Sequence, residues 1–131
     1  MSSEWQKTTL GACVTFISGN TPFKAEPRFW NGAIPWISAK DMRSFWVDDA
    51  EDHLTVEGVA VASAVVPAGT TLLLTRGMTL HNDIPIVRTR QAATFNQDVK
   101  ALTAKHGVLA EFIPYLLLGN KPRIRGLVDS A

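Results

Sequence analysis

The spacing of apolar residues divides the chain into short segments. Leu10, Val14 and Ile17 recur at helical intervals, with Thr9 placed to cap and Gly19 to terminate, so the pattern predicts a helix. Asn20-Thr21-Pro22 then forces a turn, and the polar stretch from Lys24 to Gly32, with Phe29-Trp30 embedded, predicts an ordered surface loop. Ile34-Pro35-Trp36-Ile37 reads as extended, with Pro35 marking an edge or a strand start. Ser38 is placed to cap a short turn through Lys40-Asp41-Met42-Arg43, and Thr55 a short helix over Val56 to Ala64. After the turn Pro67-Ala68-Gly69, the nearly all-apolar run Thr70 to Thr75 predicts an inner strand, ended by Arg76-Gly77. Ile84 to Val87 and Val99 to Thr103 predict further strands, with Arg88 and Arg90 flanking a hairpin turn. Val108 to Leu118 predicts a helix bent or interrupted at Pro114. Strands and helices do not alternate regularly. The expected class is therefore α+β: a single domain with a twisted, mainly antiparallel or mixed β-sheet and a few short helices.

Composition fits one domain. The chain has 131 residues, 46% of them hydrophobic, including four Trp and six Phe, which is enough for a packed core without staples. It holds no internal repeat, low-complexity tract or interdomain linker. Cys13 is the only cysteine, so an intramolecular disulfide and a cysteine metal cluster are excluded. On or near an apolar face, Cys13 reads as a buried thiol rather than a nucleophile. The segment Met1-Ser2-Ser3-Glu4-Trp5 is not a signal peptide, and no apolar stretch approaches the ~18 residues of a membrane span. These features predict a cytoplasmic protein with no membrane partner. The net charge of +1 counts against a nucleic-acid binder that relies on bulk charge and shifts the question to where the charges lie.

Catalytic and cofactor patterns are missing. His53, His81 and His106 lack metal-ligand spacing and read as surface or loop residues. There is no nucleophile elbow, phosphate loop or dinucleotide fingerprint, and Ile17-Ser18-Gly19 reads as a helix end. Asn20-Thr21-Pro22-Phe23 is only superficially similar to the Asn/Asp-Pro-Pro-aromatic motif of adenine methyltransferases. The acidic run Asp48-Asp49-Ala50-Glu51-Asp52 has a cation site or a carboxylate pair as readings; with adjacent residues and no glycine-shaped ligand pattern, a solvated loop is the better one. What remains is basic and polar residues on predicted loops: Lys24 and Arg28; Lys40 and Arg43; Arg76, Thr79, His81 and Asn82; and Lys121, Arg123 and Arg125. Arginine can pair with guanine bidentately, Asn with adenine, and lysine follows phosphate.

An ordered series of short motifs sharpens this picture. It runs through Leu10-Gly11, Gly19-Asn20-Thr21-Pro22, Phe29-Trp30-Asn31-Gly32-Ala33-Ile34-Pro35-Trp36-Ile37 and Asp41-Met42. It continues through Thr55-Val56-Glu57-Gly58, Ser63, Val66-Pro67-Ala68-Gly69-Thr70, Thr75-Arg76-Gly77, Asn96-Gln97 and Ala101-Leu102. Over roughly residues 5–126 the chain resembles the target-recognition domain of the specificity subunit of type I restriction–modification enzymes. The resemblance implies a domain without chemistry of its own that reads one half of a split site in double-stranded DNA. A partner methyltransferase subunit would use S-adenosylmethionine, and restriction subunits would cleave; no cofactor is expected on this chain. It also implies that Trp30 and Trp36 anchor core or loops, and that Asn96 and Gln97 hold backbone groups.

Base readers are expected on the loops at residues 40–46 and 76–83, through Lys40, Arg43, Arg76, Thr79, His81 and Asn82. Lys24, Arg28, Lys121, Arg123 and Arg125 are expected on phosphates. The sequence holds one recognition domain over residues 1–131, without the second domain and spacer helix of a full subunit. The expectation is a fragment, truncated product or half-subunit. The alternatives are a protein-interaction module that does not bind DNA, and a hydrolase built on His81 or His106 with a serine and a carboxylate.

Overall fold

The computed structural model describes residues 14–62, 64–76, 84–105 and 109–119. Eight strands among these residues form two sheets. The larger has the order β1 (Val14–Ser18), β8 (Val99–Ala104), β5 (Thr71–Leu74), β6 (Ile86–Thr89) and β3 (Trp46–Val47). The smaller has the order β4 (Asp52–Leu54), β2 (Trp30–Ile37) and β7 (Thr94–Phe95). Most neighbours are antiparallel, but β3–β6 and β2–β7 are parallel. The expected α+β class with a mixed strand arrangement therefore holds, distributed over two sheets.

Both faces of the larger sheet are covered. On one face, Leu72, Leu74, Val87, Val99 and Ala101 pack with Ile37, Ala93 and Phe95 from the smaller sheet or its approach. On the other, Val14, Leu73, Ile86 and Leu102 pack with Ile113 and Leu117 of the C-terminal helix α2 (Ile113–Leu118). The predicted inner strand is thus real: β5 is buried along its whole length.

Two expectations are corrected. The segment read as a helix over Leu10 to Ile17 is the strand β1 from Val14 onward, with Thr9, Leu10 and Cys13 outside the described residues. Val14-Thr15-Phe16-Ile17 is a β-branched and aromatic run, and it pairs along its length with β8. No hairpin links Arg88 to the next strand. β6 belongs to the larger sheet, whereas β7 crosses to the smaller one, where Thr94 Oγ1 donates to the Pro35 carbonyl at 2.9 Å. Of the two readings at Pro114, the interruption holds: a 3₁₀ turn at Ala110–Phe112 precedes α2, and Pro114 lies in the first turn of α2, where its missing N–H leaves no hydrogen bond unmade.

Other local readings hold with shifted ends. Thr55 caps the helix α1 (Val56–Val61) by accepting from the Gly58 N–H at 3.1 Å. Ser38 precedes a 3₁₀ turn at Ala39–Asp41, and Asp41 Oδ2 accepts the Ser38 N–H at 3.0 Å. The polar stretch after Pro22 ends earlier than expected: a 3₁₀ turn at Pro27–Phe29 leads directly into β2. At the start of β2 the register shifts between Trp30 and Ile34, and Asn31 takes a left-handed conformation at φ 68°.

Candidate nucleic-acid interface

Strand direction gathers several loops at one end of the larger sheet. β5 ends there and β6, its antiparallel neighbour, begins there, so residues 75–85 connect them at that end. β3 runs parallel to β6, so the segment entering it, including Arg43, arrives at the same end; the Arg88 N–H donates to the Phe45 carbonyl at 2.7 Å. The segment entering β3, with Arg43, and the end of β5, with Arg76, therefore come to the same end of the larger sheet; residues 77–83 lie outside the described residues. The turn at residues 96–98 also lies there. The Thr75 N–H and hydroxyl both donate to the Asp98 carbonyl, at 2.8 and 3.0 Å. β1 ends at this edge too, and Asn20 N–H donates to the Phe95 carbonyl at 3.2 Å.

The approach to this end is held by aromatics and amides. Trp36 Nε1 donates to the Asn20 carbonyl at 3.0 Å and Trp30 Nε1 to the Phe23 carbonyl at 3.1 Å. The two indoles meet edge to face at 5.1 Å, which makes both of them anchors, as the resemblance implied. Lys24 Nζ sits over both rings, 4.8 Å from Trp36 and 5.4 Å from Trp30, with its side chain exposed. Asn96 Oδ1 accepts the Asp98 N–H at 3.0 Å, holding backbone as expected; Gln97 instead accepts from the Thr21 hydroxyl at 2.5 Å.

The basic residues split into two groups. Arg43 and Arg76 are exposed, and Arg43 Nε donates to the Lys40 carbonyl at 2.9 Å. Lys40 and Arg28 instead face carboxylates. Lys40 Nζ lies 2.8 Å from Asp52 and 3.8 Å from Glu51; Arg28 Nε lies 3.7 Å from Glu26 and 4.0 Å from Glu57. The hydrogen bond that Lys40 donates to Asp52, with the charges of Asp52, Glu51 and Asp41, raises the Lys40 pKa against the opposing effect of burial. Thr79, His81, Asn82, Lys121, Arg123 and Arg125 lie outside the described residues, as does His106.

Two features were missed in the sequence. Trp46 lies between two guanidiniums, with Arg88 Cζ 4.8 Å and Arg90 Cζ 4.6 Å from its ring centroid. Arg88 Nε and Nη2 also donate to the Gly69 carbonyl at 3.2 and 3.0 Å. The i, i+2 spacing of Arg88, on β6, and Arg90, just past its end, was the available signal, since extended backbone puts both on one face. The acidic run is likewise more than a solvated loop. Asp48 bonds Arg90 at 2.6 Å, Asp49 bonds His53 at 2.7 Å, and Glu51 and Asp52 flank Lys40. Burial would lower the His53 pKa, but Asp49 and the Gly32 carbonyl, which face its two ring nitrogens, raise it. The Ala50 N–H, and then His53, hold the Asp49 carboxyl below its ordinary value despite some desolvation.

A cavity of about 170 Å³ is lined by residues that include Gly69, Thr70, Thr71, Leu102 and Ala104, and by no titratable side chain. No group of three or more His, Cys, Asp or Glu among the described residues could hold a metal, and no described helix is long and apolar enough to cross a membrane.

Comparison with known proteins agrees with the fold. The chain is 38% identical over 120 residues to the Escherichia coli type I restriction enzyme EcoR124I/EcoR124II specificity subunit, covering 90% of this chain and 29% of that protein. It is 29% identical over 117 residues to the MjaIX specificity subunit of Methanocaldococcus jannaschii, covering 86% of this chain and 26% of that one. The chain thus spans less than a third of these relatives. The fold matches the HsdS subunit from Thermoanaerobacter tengcongensis with a TM-score of 0.62, at 17% identity, over 88% of this chain and 27% of that one. A second match, in a structure describing complex assembly and conformational transition of the type I R-M system, has a TM-score of 0.66, also at 17% identity, with the same coverage. The family model of the type I restriction modification DNA specificity domain matches residues 2–129, and the chain belongs to that family.

Proposed function

We propose that this domain reads one half-site of a split double-stranded DNA target on behalf of a methyltransferase subunit and, through it, a restriction subunit. It carries no catalytic centre, and S-adenosylmethionine belongs to the methyltransferase. The observation that supports this reading best is that the segment entering β3, with Arg43, and the end of β5, with Arg76, come to the same end of the larger sheet. Such a pair of segments suits a groove: a few side chains meet base edges while cations around them meet phosphates.

Within that scheme Arg43 and Arg76 read bases, together with Thr79, His81 and Asn82 of the same loop. Lys24 holds a phosphate from its seat on the tryptophan pair, and Lys121, Arg123 and Arg125 add further phosphate contacts. Arg28 and Lys40 join them only by exchanging carboxylate partners for DNA. The apolar side chains that α2 and its approach turn outward, Leu109, Phe112 and Tyr115, are the surface we assign to a protein partner.

Selection from randomised duplexes, using the chain assembled with its methyltransferase, tests the reading. A defined half-site should emerge. Arg43→Ala and Arg76→Ala should each relax preference at one position, at a cost of about 1–3 kcal/mol. Lys24→Ala should weaken all sequences alike. Selection of no preferred sequence, with the methyltransferase still captured, would favour an interaction module instead.

A further inference from the structure

A DNA reader with a net charge of +1 needs an account of its acidic residues, and the acidic run supplies one. It does not project away from the basic side chains. It packs against the 38–43 turn, where Asp41 Oδ1 accepts the Glu51 N–H at 3.0 Å, and each carboxylate but one meets a lysine or arginine. Asp52 and Glu51 engage Lys40, and Asp48 engages Arg90 while that guanidinium lies on Trp46. The remaining one, Asp49, holds His53. These pairs are exposed: Asp48 and Glu51 are 74% and 72% accessible, so water and competing anions reach them. Exposed pairs of this kind are individually weak and easily exchanged.

We propose that Asp48, Glu51 and Asp52 act as internal stand-ins for DNA phosphates and suppress binding to non-target DNA. The inference rests on the DNA-reading role argued above and adds specificity-determining residues to it. Away from the target, phosphates must displace carboxylates from Lys40 and Arg90. The release of counterions that drives non-specific binding is then reduced, because these cations are already neutralised. At the target, base contacts from the neighbouring loops offset the exchange. The run thus lowers affinity for arbitrary sequence more than affinity for the half-site, which raises the ratio between them.

The test uses the full chain with fluorescein-labelled duplexes, one of arbitrary sequence and one carrying the selected half-site, titrated across salt concentrations. Glu51→Gln with Asp52→Asn should raise affinity for the arbitrary duplex roughly 3–10-fold. It should also steepen the log K against log salt slope by about 0.9 for the cation released. Asp48→Asn should do the same through Arg90. Affinity for the half-site should rise less, so the specificity ratio falls. Adding Lys40→Met to the Glu51/Asp52 variant should abolish its extra slope. Glu111→Gln, on the turn before α2, removes one charge elsewhere, as Asp48→Asn does, and should leave the slope unchanged.

Equal effects from Glu111→Gln would overturn the proposal in favour of bulk charge. So would unchanged slopes, or a parallel fall in both affinities with the thermal unfolding midpoint retained. Failure of the DNA-reading role has a different signature: no wild-type preference for any duplex, with the slope changes on arbitrary DNA still measurable.

Discussion

Gly58 lies inside α1, where alanine would ordinarily favour the helix by about 1 kcal/mol. Here a Cβ would fall on the Phe29 carbonyl oxygen, a backbone atom that cannot swing aside. Packing therefore reverses the sign that propensity gives. Gly58→Ala should destabilise the domain by about 2 kcal/mol or more, read as a lower denaturation midpoint. His53 gives a second prediction. Its two nitrogens face oxygen acceptors, and its pKa is raised, so its contribution to stability is present in full below the unfolded value near 6.5. It is lost as pH rises through the folded value. The unfolding midpoint of wild type relative to His53→Gln should thus shrink on going from pH 6 to pH 8. The exposed partner Asp49 limits the effect to less than about 1 kcal/mol.

β3 shows how a short element is held. It has two residues and, among the described residues, lies at a sheet edge and pairs only with β6. The stack of Trp46 between Arg88 and Arg90 fastens it, with the Arg90 N–H donating to the Val47 carbonyl at 3.0 Å. Trp46→Ala should cost roughly 2 kcal/mol, less than a fully buried tryptophan. Hydrogen exchange should speed up at the Arg88 and Arg90 amides while those of β5 keep their protection. β1 shows the opposite case, an element hidden from sequence reading. Val14 and Ile17 are three apart, which suits a helix, but on a strand that spacing puts them on opposite faces. Val14 enters the core beneath α2, and Ile17 packs against the core between the sheets. A sheet covered on both sides removes the alternation by which a strand is recognised. β5 escaped this ambiguity because its apolar run was continuous and bounded by turn residues.

Across the whole molecule, the class of fold and the family were legible, because turn residues and ordered motifs are local. The charge pairing was not. Lys40 meets Asp52, and Arg28 meets Glu57, across separations that only the assembled sheets close. The candidate site was therefore readable as a list of cations but not as two groups, one engaged by carboxylates and one with Arg43 and Arg76 at the sheet end.

The pairing of β1 with β8 sets the order in which the domain can be made. Val14 lies opposite Ala104, and β8 stands between β1 and β5 in the larger sheet. Until β8 has been synthesised, β5 exposes a bare hydrogen-bonding edge next to Leu72 and Leu74, and β1 has no neighbour. The smaller sheet, complete by Phe95, can assemble first. A chain emerging from the ribosome thus passes through a stage in which its most apolar strand is open to pairing with other chains. Closure by β8 ends that exposure, and its long sequence separation places folding among the slower, non-local topologies.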